Sequence, residues 1–263
     1  SAEVSPVAGN WRYIHLTTTA RKAVFKHTIM EYGGKPQGYG DDATIKSEAD
    51  TLMISDSEIR LSGSQGIAVR AASNLISLER VSITGSNYNG LATHESGSYS
   101  ISMNECHISS NKSYGLNIGH NVGFTIKNST FGANTSGFMR LYPNLAGGID
   151  STNHFTSPGK IELISGNVTR DAFWPGFFST DSAWYFINDN TNVYGSSTEP
   201  ATLEIGEGAE IRFPNSAGSI LQVGYSTSLG SLIVNGSAQQ PVRFTSAEVS
   251  PVAGNWRYIH LTT

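Results

Sequence analysis

The sequence predicts an all-β fold, a solenoid of roughly ten stacked coils, on three observations. A glycine-led phrase recurs as GIAVR at Gly66, GLATH at Gly90, GLNIG at Gly115 and GFMRL at Gly137, with spacings of 24, 25 and 22 residues. After each of the first three comes a run of alternating apolar residues. The eighteen residues SAEVSPVAGNWRYIHLTT stand at 1–18 and again at 246–263.

Composition allows this fold and excludes others. Of 263 residues only 14% are charged, against about 25% in ordinary globular domains. Short apolar runs such as LISLERVSI and SLIVNG recur throughout, so the chain is not disordered. A net charge of −4 without a basic cluster argues against a nucleic-acid partner, whose phosphates demand a Lys/Arg surface. The single cysteine, Cys106, permits no internal disulfide and no Cys-based zinc site. Alternation in SISMNECHISSN points it inward as a packed thiol. No apolar stretch approaches the roughly 20 residues of a membrane span.

The alternating runs align with one another. Leu78, Val81 and Ile83 match Met103, Cys106 and Ile108, and then Ile126, Ser129 and Phe131. Earlier in the chain Ile54, Ser57 and Ile59 keep the same cadence, as do Phe25, Thr28 and Met30. Period-two alternation means a strand with one face buried. Apolar positions three apart and then two apart fit two strands joined by a bend that swaps faces. Gly and Asn at the joints would supply the positive φ angles of tight corners. A unit of 22–25 residues, the spacing of the glycines, cannot bury its own apolar face; stacked on its neighbours, it can.

Residues 143–200 read differently, as an irregular coil or a protruding loop. DAFWPGFFSTDSAWYFINDN packs aromatics from Phe173 to Phe186 around Pro175 and Gly176, and Pro is excluded from central strand positions. Regular alternation returns in ATLEIGEGAEIRF and SLIVNG. Helix signals are weak everywhere; TTTARKAVFKH comes nearest, and its Thr run makes it a poor helix.

The glycine-led strands at Gly66, Gly90 and Gly115, the strand-and-Asn turn IKNSTFGAN, and the G-x-W-x-x-I coil within LIVNGSAQQPVRFTSAEVSPVAGNWRYIHL resemble one family. It is that of the right-handed parallel β-helix repeat proteins, a group that includes pectate-lyase-like folds and large tandem-repeat bacterial surface proteins. The resemblance covers residues 1–142 and 201–263. GFMRLYPN departs from it by placing Arg140 where an apolar residue is expected, which predicts a shift of register there.

On this reading residues 1–263 form one solenoid: a period of residues 1–245, then the first 18 residues of the next copy at 246–263. A terminated solenoid needs caps with polar outer faces, and both ends here stop in the middle of a coil. With strands about 4.8 Å apart, some ten coils would rise roughly 50 Å per period.

The resemblance implies that any chemistry lies on the outer face, where β-helix enzymes that cleave polysaccharides carry their sites. Stacking the glycine-led strands brings Arg70, His94, Glu95, His120 and Tyr142 to one edge. Such a group could hold a sugar acid, with Arg70 as anion clamp and His94 or His120 as base. Against catalysis, Glu95 is the one carboxylate there, whereas glycoside hydrolysis commonly uses a pair. The aromatics Trp174, Phe177, Trp184 and Tyr185, with Tyr142, offer a sugar-stacking surface or else plug a wide part of the core, and packing is the favoured reading. Asp41, Asp42, Glu48 and Asp50 lack the spacing of a calcium loop, and the histidines lack zinc-like spacing. Neither a metal nor a cofactor is expected.

The expected function is structural: a repeat unit of a long extracellular or cell-surface fibre, filament or adhesin. Its partners would be copies of itself along the fibre axis, with glycans second. The alternative is a carbohydrate-active enzyme (polysaccharide lyase or glycoside hydrolase) or a glycan-binding module on the same fold.

Overall fold

Ile54, Leu78, Met103 and Ile126 stand in one column because their strands pair in parallel at those residues. Ile59, Ile83, Ile108 and Phe131 form a second column, and Phe25 and Met30 join the two columns at their head. These are the correspondences read from the alternation, now as paired registers. The computed structural model describes residues 4–38, 42–70, 73–94, 98–119, 122–177 and 183–262. They wind into an all-β parallel solenoid of about 8 turns, close to the roughly ten expected from unit length. Among the described residues the one helical element is a 3-10 turn, Pro143–Gly148, and no helix is long and apolar enough to cross a membrane.

Two compact units divide the chain: Ser1–Met139 with Thr152–Ser157, and Arg140–Ser151 with Pro158–Thr263. In the first unit, one sheet stacks Ile14–Leu16, Ala43–Ser47, Gln65–Val69, Leu91–Thr93 and Tyr114–Asn117 in that order. A second sheet contains the long strands Thr51–Arg60 and Ser73–Thr84, flanked by shorter ones. Its residues Leu52, Ile54, Ile59, Ile76 and Ile83 are fully buried, each worth about 1.5–3 kcal/mol against exposure.

The glycine-led phrase has a steric cause. A Cβ on Gly66 would lie 2.5 Å from the carbonyl oxygen of Gly90, and one on Gly90 would lie 2.6 Å from that of Gly115. Each coil crosses its neighbour there too closely for a side chain. The bends that swap faces are a different matter. They fall on His27, Asp56, Arg80, Glu105 and Asn128, all with φ between 50° and 53°. Only Asn128 is of the expected type. Neighbouring coils hold these L-residues in a conformation they rarely adopt alone.

Asparagine ladders seal other corners. Asn111 accepts the Ser86 N–H at its side-chain oxygen (3.0 Å) and donates to the Asn134 side-chain oxygen (2.9 Å), so buried backbone groups are satisfied between coils.

In the second unit the coils have three sides. One sheet runs Gly159–Leu163, Ala183–Ile187, Glu210–Phe213 and Arg243–Ser246; a second runs Gly166–Val168, Thr191–Val193, Leu221–Val223 and Ile259–Leu261; a third runs Ala172–Trp174, Ala201–Ile205 and Gly230–Val234. Residues 143–200 are therefore more regular than expected, because Pro175 and Gly176 lie after a strand rather than within one. Arg140 does not break the ladder either: Leu141 O accepts the Ile164 N–H at 3.1 Å, while the Arg140 guanidinium turns to Glu162.

Candidate functional site

Of the residues expected to gather at one edge, Arg70, His94 and Tyr142 are among those described. Val69 pairs with Thr93, and the next residues, Arg70 and His94, donate their N–H groups to the coils before them, at Ser47 O and Val69 O. Arg70 and His94 thus follow one another on neighbouring coils, half-buried and exposed respectively. The Tyr99 hydroxyl donates to His94 O at 3.0 Å. Glu95 and His120 lie outside the described residues. Tyr142 belongs to the second unit, where its ring packs against Gly166. Among the described residues no cluster of His, Cys, Asp and Glu could hold a metal ion.

Of the aromatics offered as a sugar-stacking surface or a core plug, Trp174, Phe177 and Tyr185 are core side chains, which takes these three out of the candidate binding set. Trp174 and Tyr185 are fully buried and stack at 5.2 Å, and Phe177 packs against Tyr185 at 6.0 Å. A ring covered on both faces cannot receive a sugar. The Tyr185 hydroxyl donates to Pro175 O at 3.0 Å, and burial raises its pKa well above the usual phenol value.

Trp184 does face outward, half-buried, on the sheet that starts at Gly159. Lys160 pairs with Trp184, and Phe186 pairs with both Glu162 and Arg212. The Arg212 guanidinium lies 3.8 Å over the Trp184 ring, and the Lys160 ammonium lies 4.6 Å over Phe186. Glu162, only 6% exposed, bridges Lys160 and Arg140 at 2.5 and 3.5 Å, and Glu210 pairs with Arg212. Every carboxylate on this patch has a cation, and each ring carries one. Such groups stitch coils together.

On the sheet that contains Ala172–Trp174, Phe173 is half-exposed between two depressions of about 310 and 220 Å³, lined by Asp171, Thr202 and Glu204 and by Asn144 and Arg170. The alternation in AFW, with Trp174 inward, is the sequence signal that turns Phe173 out. Asp171 and Glu204 are already engaged, by the Thr202 N–H and the Asn235 amide, each at 2.8 Å.

The repeated eighteen residues are the remaining candidate, and where both copies are described, at 4–17 and 249–262, they fold alike. Val7 and Val252 donate N–H groups to Asn10 and Asn255 side-chain oxygens, and the asparagine N–H groups return to the valine carbonyls at 3.1 Å in both copies. Gly9 and Gly254 share φ of 87°. Tyr13 meets His15 edge-on at 5.6 Å and 86°; Tyr258 meets His260 at 5.6 Å and 81°. Val7 and Val252 are 65% and 68% exposed. Their neighbours differ. Ile14–Leu16 pairs with Ala43–Ser47, whereas Ile259–Leu261 pairs with Leu221–Val223.

Comparison with known families finds a match to the right handed beta helix region across residues 41–217. No curated protein and no solved structure matches the chain.

Proposed function

Because the chain belongs to the right-handed β-helix family, we propose that it is a structural repeat unit, one period of a long extracellular or cell-surface fibre, filament or adhesin. The observation that carries this reading is the shared local fold of residues 4–17 and 249–262, the described part of the repeated segment. One sequence closes the same turn and enters a parallel ladder in both places, as a coil common to successive periods must. The mechanism is mechanical: each coil shares backbone hydrogen bonds with the coils on either side, so pulling along the axis loads many bonds together. Glu162, Glu210 and their cations add lateral ties without an open, uncompensated charge.

Electron microscopy of the native material tests this. Fibres with an axial repeat on the order of 40–50 Å, set by strand spacing and turn number, are expected. Isolated particles the size of one period would contradict it.

A second reading, a glycan-binding or glycan-cleaving surface, draws support from His94 standing exposed beside Arg70. Polysaccharide turnover that disappears in His94→Ala would favour it over the structural one.

A further inference from the structure

The two copies of the repeated strand use opposite edges. At the second copy, Thr262 N–H donates to Val223 O at 3.0 Å, with Val223 paired to Leu261. In a parallel ladder that pattern turns both backbone groups of Leu261 away from Val223. At the first copy the equivalent Leu16 accepts the Glu48 N–H at 2.7 Å, with Leu16 paired to Ser47. The edge that Leu261 leaves open among the described residues is therefore the edge that Leu16 uses.

Side chains divide in the same way. Leu261 is 66% exposed, whereas Leu16 is half-buried beside Ala43–Ser47. Trp256 stacks on Phe213 at 5.0 Å and 13°. Trp11, its counterpart, donates its indole N–H to Glu31 O at 2.7 Å and lies so close to Gly33 that a Cβ there would fall 2.7 Å from the ring. Val4 and Val249, by contrast, are equally and fully exposed, so they belong to neither set of partners.

Resting on the proposal that periods follow one another, we propose that this coil is the junction between consecutive copies of the chain and engages both partner sets at once. Its strand lies between Leu221–Val223 of one period and Ala43–Ser47 of the next. The register is fixed by the two pairings seen separately. Leu221, Ile259 and the next Ile45 form one row; Gln222, His260 and the next Lys46 form the second; Val223, Leu261 and the next Ser47 form the third. Leu221 and Ile45 are each fully buried, and the isoleucine between them closes an apolar row across the boundary. The tryptophan is held from both sides, its ring by Phe213 of the preceding period and its N–H by Glu31 of the following one. The sheet of Gly166–Val168, Thr191–Val193 and Leu221–Val223 then runs into the sheet that Ala43–Ser47 and Gln65–Val69 build in the next period. Neither edge of the shared strand is left unpaired.

Cysteine pairs test the junction, because neighbouring strands about 4.8 Å apart bring paired Cα atoms within disulfide range. In the 263-residue chain, Gln222→Cys with His260→Cys and His15→Cys with Lys46→Cys should each crosslink on mild oxidation, which shows that the substitutions are tolerated. In a chain of two consecutive periods, a cysteine at the shared histidine should crosslink to Gln222→Cys of the first period and, in a separate variant, to Lys46→Cys of the second, with yields like those controls. Crosslinking to one side alone, with both controls intact, overturns the shared junction. If native fibres are seen while the crosslink forms on one side alone, the junction fails and the fibre reading stands. Two-sided crosslinking in a protein whose native material forms no fibres keeps the junction and removes the fibre.

Discussion

Trp256 stacks on Phe213 with ring centroids 5.0 Å apart and planes 13° from parallel. Phe213 is fully buried, and it anchors the second copy of the repeated segment to the coil before it. Phe213→Ala should destabilise the chain by about 3–5 kcal/mol and release residues 246–262 to proteolysis. Phe213→Leu should cost less than about 1.5 kcal/mol and keep the segment protected. Chemical denaturation and limited proteolysis read the two effects.

Gly90 faces the carbonyl of Gly115 so closely that an added Cβ would lie 2.6 Å away. Gly90→Ala should therefore cost about 1–3 kcal/mol through forced backbone displacement. Gly123 has only ordinary neighbours, the nearest at 3.6 Å, so Gly123→Ala should be neutral or stabilise by about 0.4–1 kcal/mol. Equal effects of the two substitutions in urea unfolding would contradict the close-crossing account of the glycine phrase.

Cys106 sits just after the Glu105 bend, and burial pushes its thiol up to about 11. The folded state holds the proton more tightly than the unfolded one. The corresponding stability is complete below the unfolded value of about 8.5 and is lost as pH rises toward 11. Alkylation at pH near 8 should track global unfolding, and Cys106→Ala should remove the part of the alkaline decline that begins near the unfolded thiol value of about 8.5. Rapid alkylation of the native chain would contradict the burial.

Asp56 and Arg80 occupy successive bends, with Asp56 Oδ1 accepting from Arg80 Nε at 2.6 Å. The Arg80 hydrogen bond, opposed in part by desolvation, holds the Asp56 carboxyl below its usual range. That stability is present above the unfolded carboxyl value and is lost as pH falls through the folded one. Arg80→Ala should lower stability slightly at neutral pH, and the difference from the unsubstituted chain should vanish as pH falls through the carboxyl range. Acid titration by circular dichroism measures it.

Much of this fold is legible in the letters. The apolar columns through Ile54, Leu78, Met103 and Ile126 follow from period-two alternation, and Gly66, Gly90 and Gly115 mark the close crossings. The bends are not legible, since nothing in Arg80 or Glu105 signals a positive φ; their conformation is imposed by stacked neighbours. Residues 143–200 mislead for a related reason. Pro175 and a dense aromatic run suggest irregularity, yet Trp174, Phe177 and Tyr185 are what fills the core of regular coils. The outer patch of Lys160, Glu162, Trp184 and Arg212 stays hidden because its members come from strands whose register no repeated phrase announces. The repeat itself is visible at once, but that its copies engage opposite strand edges emerges only from the hydrogen bonds at Leu16 and Thr262.

The most direct measurement is the unfolding of chains containing one, two and three consecutive periods. If periods share a coil, each added period completes a junction and gains nearest-neighbour stabilisation. The transition midpoint in denaturant should then rise from one period to two and again, by less, to three. A midpoint independent of period number would show that the periods fold as separate beads, contrary to this account.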